Sequence, residues 1–193
     1  MWLNGPQSGN LVAMTTSEQT NLKTGSWELD TNHSAVNFTV KHLGISKVRG
    51  RFNKFEAGFV VDASGAAAIE ATVYLDSFDT GNSGRDEHVR SADLLDVEKR
   101  PTLHFKAVEP IRVAEDFEVT GDVTLGGVTK PITLDVEWGG VQEFQGDGKR
   151  HAGFSATGTL KRSEFEVAPG IPAAMLSDKI AIELDIQLIE PQD

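Results

Sequence analysis

The sequence predicts an all-β fold, an antiparallel β-barrel of about eight strands with one helix, about 83–95, in a long connection. Three observations predict it. Apolar and polar residues alternate with a period of two in segment after segment, as in strands with one buried and one wet face. Turn signals separate these segments at short intervals. The apolar rows also mix bulky residues with Ala57, Ala71, Ala107, Gly121, Ala156 and Gly158, where a packed sandwich would carry Val, Leu or Ile. Such shortening favours a barrel over a two-sheet sandwich. It leaves either a ligand space or room for wall curvature and bulges.

Residues 1–24 show neither helical nor strand periodicity and read as a disordered tail, with Met14 a candidate initiator. From Trp27 onward the inward rows are Val36-Phe38-Val40, Phe55-Ala57-Phe59-Val61, Ile69-Ala71-Val73-Leu75 and Leu103-Phe105-Ala107. They continue through Phe117 to Leu125, Val128 to Trp138, Ala152 to Leu160 and Ile180 to Leu188. Glu70, Thr72, Glu118, Asp122, Asp135, Glu183 and Asp185 occupy the opposite parity, that of a solvated face. Turns are expected at Asp30–Asn32, Asp62–Gly65, Gly126-Gly127, Gly139-Gly140 and Gly146–Gly148. The helix over 83–95 rests on a capping-box-like Ser83 and Asp86, followed by Val89, Ala92 and Leu95 at helical spacing. One domain, residues 25–190, is expected.

Composition narrows the function. The 193 residues contain no cysteine, so disulfides, thiolate metal sites and cysteine nucleophiles are excluded. A net charge of −11 argues against sequence-independent binding of nucleic acid. No apolar run is long enough for a membrane helix, so no integral membrane segment is expected. The N-terminus of the chain as given lacks the pattern of an export signal, which gives a cytoplasmic expectation, or a periplasmic or extracellular one if a leader was removed. The five histidines are dispersed with no metal-ligand spacing, and neither a Gly-x-Ser-x-Gly elbow nor a phosphate-binding loop is present. No catalytic residue, metal or cofactor is therefore assigned. From Lys41 to Lys54 five basic residues occur with no acid. Lys47, Arg49 and Arg51 share the wet parity, so the plainer reading is a solvated edge protected against pairing. The other is transient contact with a phosphate head group or an anionic membrane surface.

Several of these segments together resemble the YceI-like lipid-binding proteins. The residues that carry the resemblance are Trp27-Glu-Leu-Asp30, His33-Ser34 leading into Val36, Phe38, Val40 and His42, and Val48-Arg-Gly50-Arg-Phe52. Arg85-Asp86-Glu-His88-Val-Arg90-Ser91 with Leu94, Pro101 to Phe105, Gly126 to Pro131, Gly153-Phe154, Arg162-Ser-Glu-Phe165 and Ser177-Asp178 complete the set. The resemblance implies an extended lipocalin-like barrel whose apolar tunnel holds an isoprenoid lipid, an isoprenoid quinone or a prenyl lipid, with no shared catalytic residue. It also allows a homodimer, for which no residue pattern here gives support. Glu166 departs from the family, where Gly often follows the Phe, and the missing leader puts an exported role in doubt.

On this reading the ligand-binding wall is Val36, Phe38, Val40, His42, Phe59, Val73, Phe105, Val119, Val123, Leu134, Phe154, Ile182 and Leu184. Each apolar member could equally pack a filled core, and His42 could equally be a hydrogen-bonded structural residue. Two alternatives stand beside a lipid carrier. One is an enzyme acting on an apolar substrate, with His42 and a nearby polar group in acid–base roles. The other is an interaction module whose barrel is filled by its own side chains.

Overall fold

A computed structural model describes residues 22–192. The tail expected at the N-terminus, Met14 included, lies outside the described residues as far as residue 21. Residues 22–24 already belong to the barrel: Leu22 packs against the core, and the Lys23 carbonyl accepts the Trp27 indole N–H at 2.9 Å.

The strands are β1 (Gly25–Leu29), β2 (Ala35–His42), β3 (Ser46–Phe52), β4 (Phe55–Val61), β5 (Ala67–Tyr74), β6 (Phe78–Asp79) and β7 (Thr102–Ala107). They continue with β8 (Asp116–Leu125), β9 (Val128–Phe144), β10 (Lys149–Lys161) and β11 (Leu176–Ile189), and one α-helix, α1 (Ser83–Arg90), lies between β6 and β7. All pairings are antiparallel, in the order β1-β4-β5-β7-β8-β9-β10-β11-β2-β3-β6, with β1 also paired to β11.

The register resolves these eleven segments into eight long staves. Both β1 and β2 pair along the same side of β11, at Leu29↔Leu188 and Val36↔Leu184. Their other sides pair with β4 and β3 respectively. β5 and β6 in turn pair with β4 and β3. Each of the couples β1–β2, β3–β4 and β5–β6 is thus one stave with a kink, and the ring closes as an up-and-down barrel. Side chains and loop amides carry the seams across the kinks: Gln187 N–H donates to Ser34 Oγ at 2.9 Å, and Asn53 N–H to the Ser77 carbonyl at 3.1 Å. Closure removes the exposed edges that an open sheet would present.

Three expectations need correction. Gly139-Gly140 is not a turn. β9 runs through it, and the register shifts opposite Gly153 with Gly140 at φ +96°, a bulge inside one strand. The helix ends at Arg90, five residues early, because the Ser91 hydroxyl and amide both take the His88 carbonyl and the following residues turn inward. Its cap is Asn82, whose side chain accepts from Arg85 N–H at 3.0 Å. Asp86 instead is buried and accepts hydrogen bonds from the amide and hydroxyl of Thr80. The hairpin at Gly126-Gly127 is as expected, with both residues at positive φ as its twist requires.

One end of the barrel is a packed floor. Trp27, Val61, Ala67, Ala152 and Leu188 are all nearly inaccessible there, with Phe59 and Val113 beside them. The opposite end is roofed by α1, the 91–101 connection and the 162–176 segment. Two arginines stitch this roof together. Arg100 donates to the carbonyls of Phe165 and Leu94 at 3.0 and 2.9 Å, while Arg162 is only 5% exposed and donates to the carbonyls of Val167, Ala168, Ile171, Leu176 and Ser177.

Candidate functional site: an apolar chamber

Between floor and roof lies a cavity of about 420 Å³. That is nearly three times the ~150 Å³ that accommodates a benzene ring in an engineered protein core. Its volume falls within the range of small-molecule sites. The filled-barrel alternative is therefore overturned: the inward rows do not meet across the axis.

All thirteen sequence-derived wall residues line this cavity. Phe59, Val119, Val123 and Leu134 are buried, eight others remain only half-buried, and His42 is exposed. Inward side chains at this level of exposure border open space rather than one another, as packed interiors would have them do. His42 is both on the wall and exposed, so the cavity reaches the surface beside the β2–β3 hairpin. Its ring has no hydrogen-bond partner among the described residues, which removes the bonded structural role considered for it.

The small residues divide into two groups. Ala57 and Ala71 stand opposite each other across β4–β5, and with Ala156 they open onto the cavity. Gly121 and Gly158 do not add volume. A Cβ at 121 would overlap the Phe105 ring, and one at 158 would come within 2.6 Å of Leu134 Cδ2, so neighbouring side chains already occupy those gaps. Ala107 packs against the core instead of lining the cavity.

Sequence reasoning did not include several wall residues. Ile180 heads an inward row but was not placed on the wall, and Val48 and Phe52 share the inward parity and could have been read from it. Thr80, Arg85 and Arg162 could not, because they reach the wall from loops and from α1. Arg85 donates to Thr80 through Nε at 2.8 Å and Nη2 at 3.1 Å, and so holds a polar group at the roof. Phe38, Phe52 and Phe78 form an aromatic trio below it, with ring centroids 5.1 to 5.8 Å apart.

Away from the cavity, a polar network ties the floor. Asp30 accepts from His33 Nδ1 at 2.8 Å and Gln187 Nε2 at 3.1 Å, Gln187 reaches His151 Nδ1 at 2.9 Å, and His151 Nε2 lies 3.0 Å from Asp147. Burial pushes the Asp30 carboxyl up, but its hydrogen bonds with His33 and the Asn32 amide outweigh burial and hold it below the usual carboxylate range. No buried side-chain nitrogen or oxygen lacks a partner among the described residues. Nor, among them, could any group of three or more His, Cys, Asp or Glu hold a metal ion. No helix among them is long and apolar enough to cross a membrane.

Fold and site together define a closed up-and-down barrel built around an apolar internal chamber. Residues 27–188 match the model of the YceI-like domain, and the chain belongs to that family. A UPF0312 protein of Pectobacterium carotovorum is 37% identical over 158 residues, covering 79% of this chain and 80% of the relative. The crystal structure of the Campylobacter jejuni YceI protein matches with a TM-score of 0.70 and 33% identity, over 79% of this chain and 90% of that one. A Saccharophagus degradans domain described as polyisoprenoid-binding shares the fold, with a TM-score of 0.63 at 17% identity over 88% of this chain and all of its own.

Proposed function

We propose that this protein binds an isoprenoid lipid, an isoprenoid quinone or another prenyl lipid, in the barrel chamber and serves in its transport, storage or sequestration. The observation that carries the reading is the chamber itself: about 420 Å³ of space walled by Val, Ile, Leu, Ala and Phe and reaching the surface at His42. A branched hydrocarbon chain suits such a wall, since it needs no hydrogen bonds and gains from every methylene removed from water. Each buried CH₂ is worth about 0.8 kcal/mol, so a five-carbon unit contributes roughly 3–4 kcal/mol before ordering costs. A polar head group would remain at the rim beside His42. The polyisoprenoid binding described for the Saccharophagus domain supports the same ligand class.

The test is a titration with prenyl alcohols of increasing length, read by calorimetry or by displacement of a fluorescent apolar probe. Affinity is expected to rise by at least about tenfold for each added five-carbon unit until the chamber is full, and then to level off. Affinity that does not change with chain length would exclude the proposal.

A further inference from the structure

The rim next to the chamber opening carries a second feature, which the chamber does not explain. Among the described residues six large hydrophobic side chains are exposed, and three of them sit together here: Leu43 at 49%, Ile45 at 87% and Met175 at 50%. Leu43 and Ile45 form the tip of the β2–β3 hairpin, and the Leu43 amide donates to the Met175 carbonyl at 2.8 Å, which locks the two loops side by side. Leu43 holds its place at φ +53°, a left-handed position where turns ordinarily use Gly, Asn or Asp. The tip therefore presents an apolar side chain on backbone that disfavours it.

Immediately behind the tip runs a row of lysines on the outer face. Lys161 pairs in register with Lys179, and Lys41 with Lys47. Lys179 lies beside Lys41, because the neighbouring residues Ile180 and Val40 are partners. Like charges directly opposite one another destabilise a sheet. Lys161 is relieved by Glu164 at 3.7 Å, but Lys41, Lys47 and Lys179 have no carboxylate within salt-bridge distance among the described residues. In a chain of net charge −11 this concentration is local and adjoins the apolar tip, since Lys41 and Lys47 flank the loop that carries Leu43 and Ile45.

We propose that this rim docks on the surface of an anionic lipid bilayer, with Leu43, Ile45 and Met175 entering the interfacial region and Lys41, Lys47 and Lys179 meeting the lipid phosphates. Apolar insertion combined with basic residues is the pairing of forces that gives stable yet reversible attachment. The geometry also gives the attachment a use. His42 lies between the tip and the chamber, so docking would set the opening against the bilayer and let an apolar chain pass without crossing water. This purpose rests on the lipid-binding reading above; the docking itself does not.

The test is flotation of the full chain with vesicles of phosphatidylcholine alone or mixed with phosphatidylglycerol. The protein is expected to bind the mixed vesicles, to bind pure phosphatidylcholine far less, and to be released as added salt shortens the Debye length. Lys41→Gln with Lys47→Gln should weaken binding by about thirtyfold, and Ile45→Asp by about tenfold or more. Phe144→Ser, which changes an exposed aromatic at the floor end, should bind as the parent does. All variants should keep the parent's melting temperature and its prenyl alcohol titration in the absence of vesicles. Equal binding to both vesicle types, or undiminished binding by the rim variants, overturns the proposal. So does a finding that Ile45→Asp splits a dimer while leaving vesicle binding intact, since the rim would then be an interface between copies. Vesicle docking without any prenyl alcohol binding would instead overturn the chamber's assignment and leave the docking in place.

Discussion

Phe38 stands directly across from Gly50 in the β2–β3 pair, and its ring covers the glycine so closely that a Cβ there would overlap it. The same ring stacks on Phe78 at 5.1 Å, which joins the β2–β3 stave pair to the segment leading into the roof. The glycine is thus what allows an aromatic side chain to lie along the wall instead of across the chamber.

Gly50→Ala should force the Phe38 ring off Phe78. We expect a loss of roughly 1–3 kcal/mol in urea denaturation, as overpacking of this kind usually brings. Adding Phe38→Leu should restore part of it. Parental stability in the Gly50→Ala protein would show that the ring has no fixed seat.

Ala71→Phe tests the opposite kind of site. Ala71 and its partner Ala57 open onto empty space, so an added ring has room. Stability should hold or rise, while binding of a prenyl chain that fills the chamber weakens by about 3 kcal/mol, the contribution of roughly one five-carbon unit. Calorimetry alongside thermal melting separates the two effects.

Arg162→Met should be severe. Five carbonyls converge on this buried guanidinium, and a methionine would leave them without donors. The expected cost is about 3–5 kcal/mol, or about ten degrees in melting temperature. Arg162→Lys should recover only part, because an ammonium offers three donors without the planar fork.

Asp30 should contribute to acid lability. Its folded carboxyl titrates below its unfolded value, so its stabilisation is complete above about pH 4 and disappears as the pH falls through the lowered folded value. Asp62, Asp79, Asp147 and Asp178 shift the same way at less enclosed sites. Urea unfolding across acid pH should show a shallower decline for Asp30→Asn than for the parent, from a lower plateau. Parallel profiles would remove Asp30 from this role.

The barrel wall was legible in the sequence because each stave has one wet face and one apolar face, so parity alone placed Phe105, Val119 and Ile182 on the interior. Stave breaks were less so. Asp30–Asn32 carries turn chemistry, but Asn53-Lys54 bends β3 into β4 with neither Gly nor Pro to mark it. Gly139-Gly140 misled for the converse reason, since a bulge and a turn draw on the same residue. The α1 helix stopped short of its apolar periodicity because Ser91 takes the His88 carbonyl, and Leu94 and Leu95 then reach the cavity wall from the turns that follow, where Arg100 holds the Leu94 carbonyl. Small inward residues were ambiguous in principle: Ala71 makes space, whereas Gly121 receives a neighbour's ring. Arg162 stood in a segment that carries the family resemblance, but periodicity gave no sign of its role, because the carbonyls it binds, from Val167 to Ser177, converge only on folding.

The most direct test of a chamber completed by an apolar guest is native mass spectrometry of the full chain purified from its own host without detergent, followed by organic extraction. The account predicts a mass excess over the bare chain that disappears on extraction, with a lipid built of five-carbon units recovered in the organic phase. A protein that carries no guest from its host and acquires none when offered prenyl lipids would contradict it.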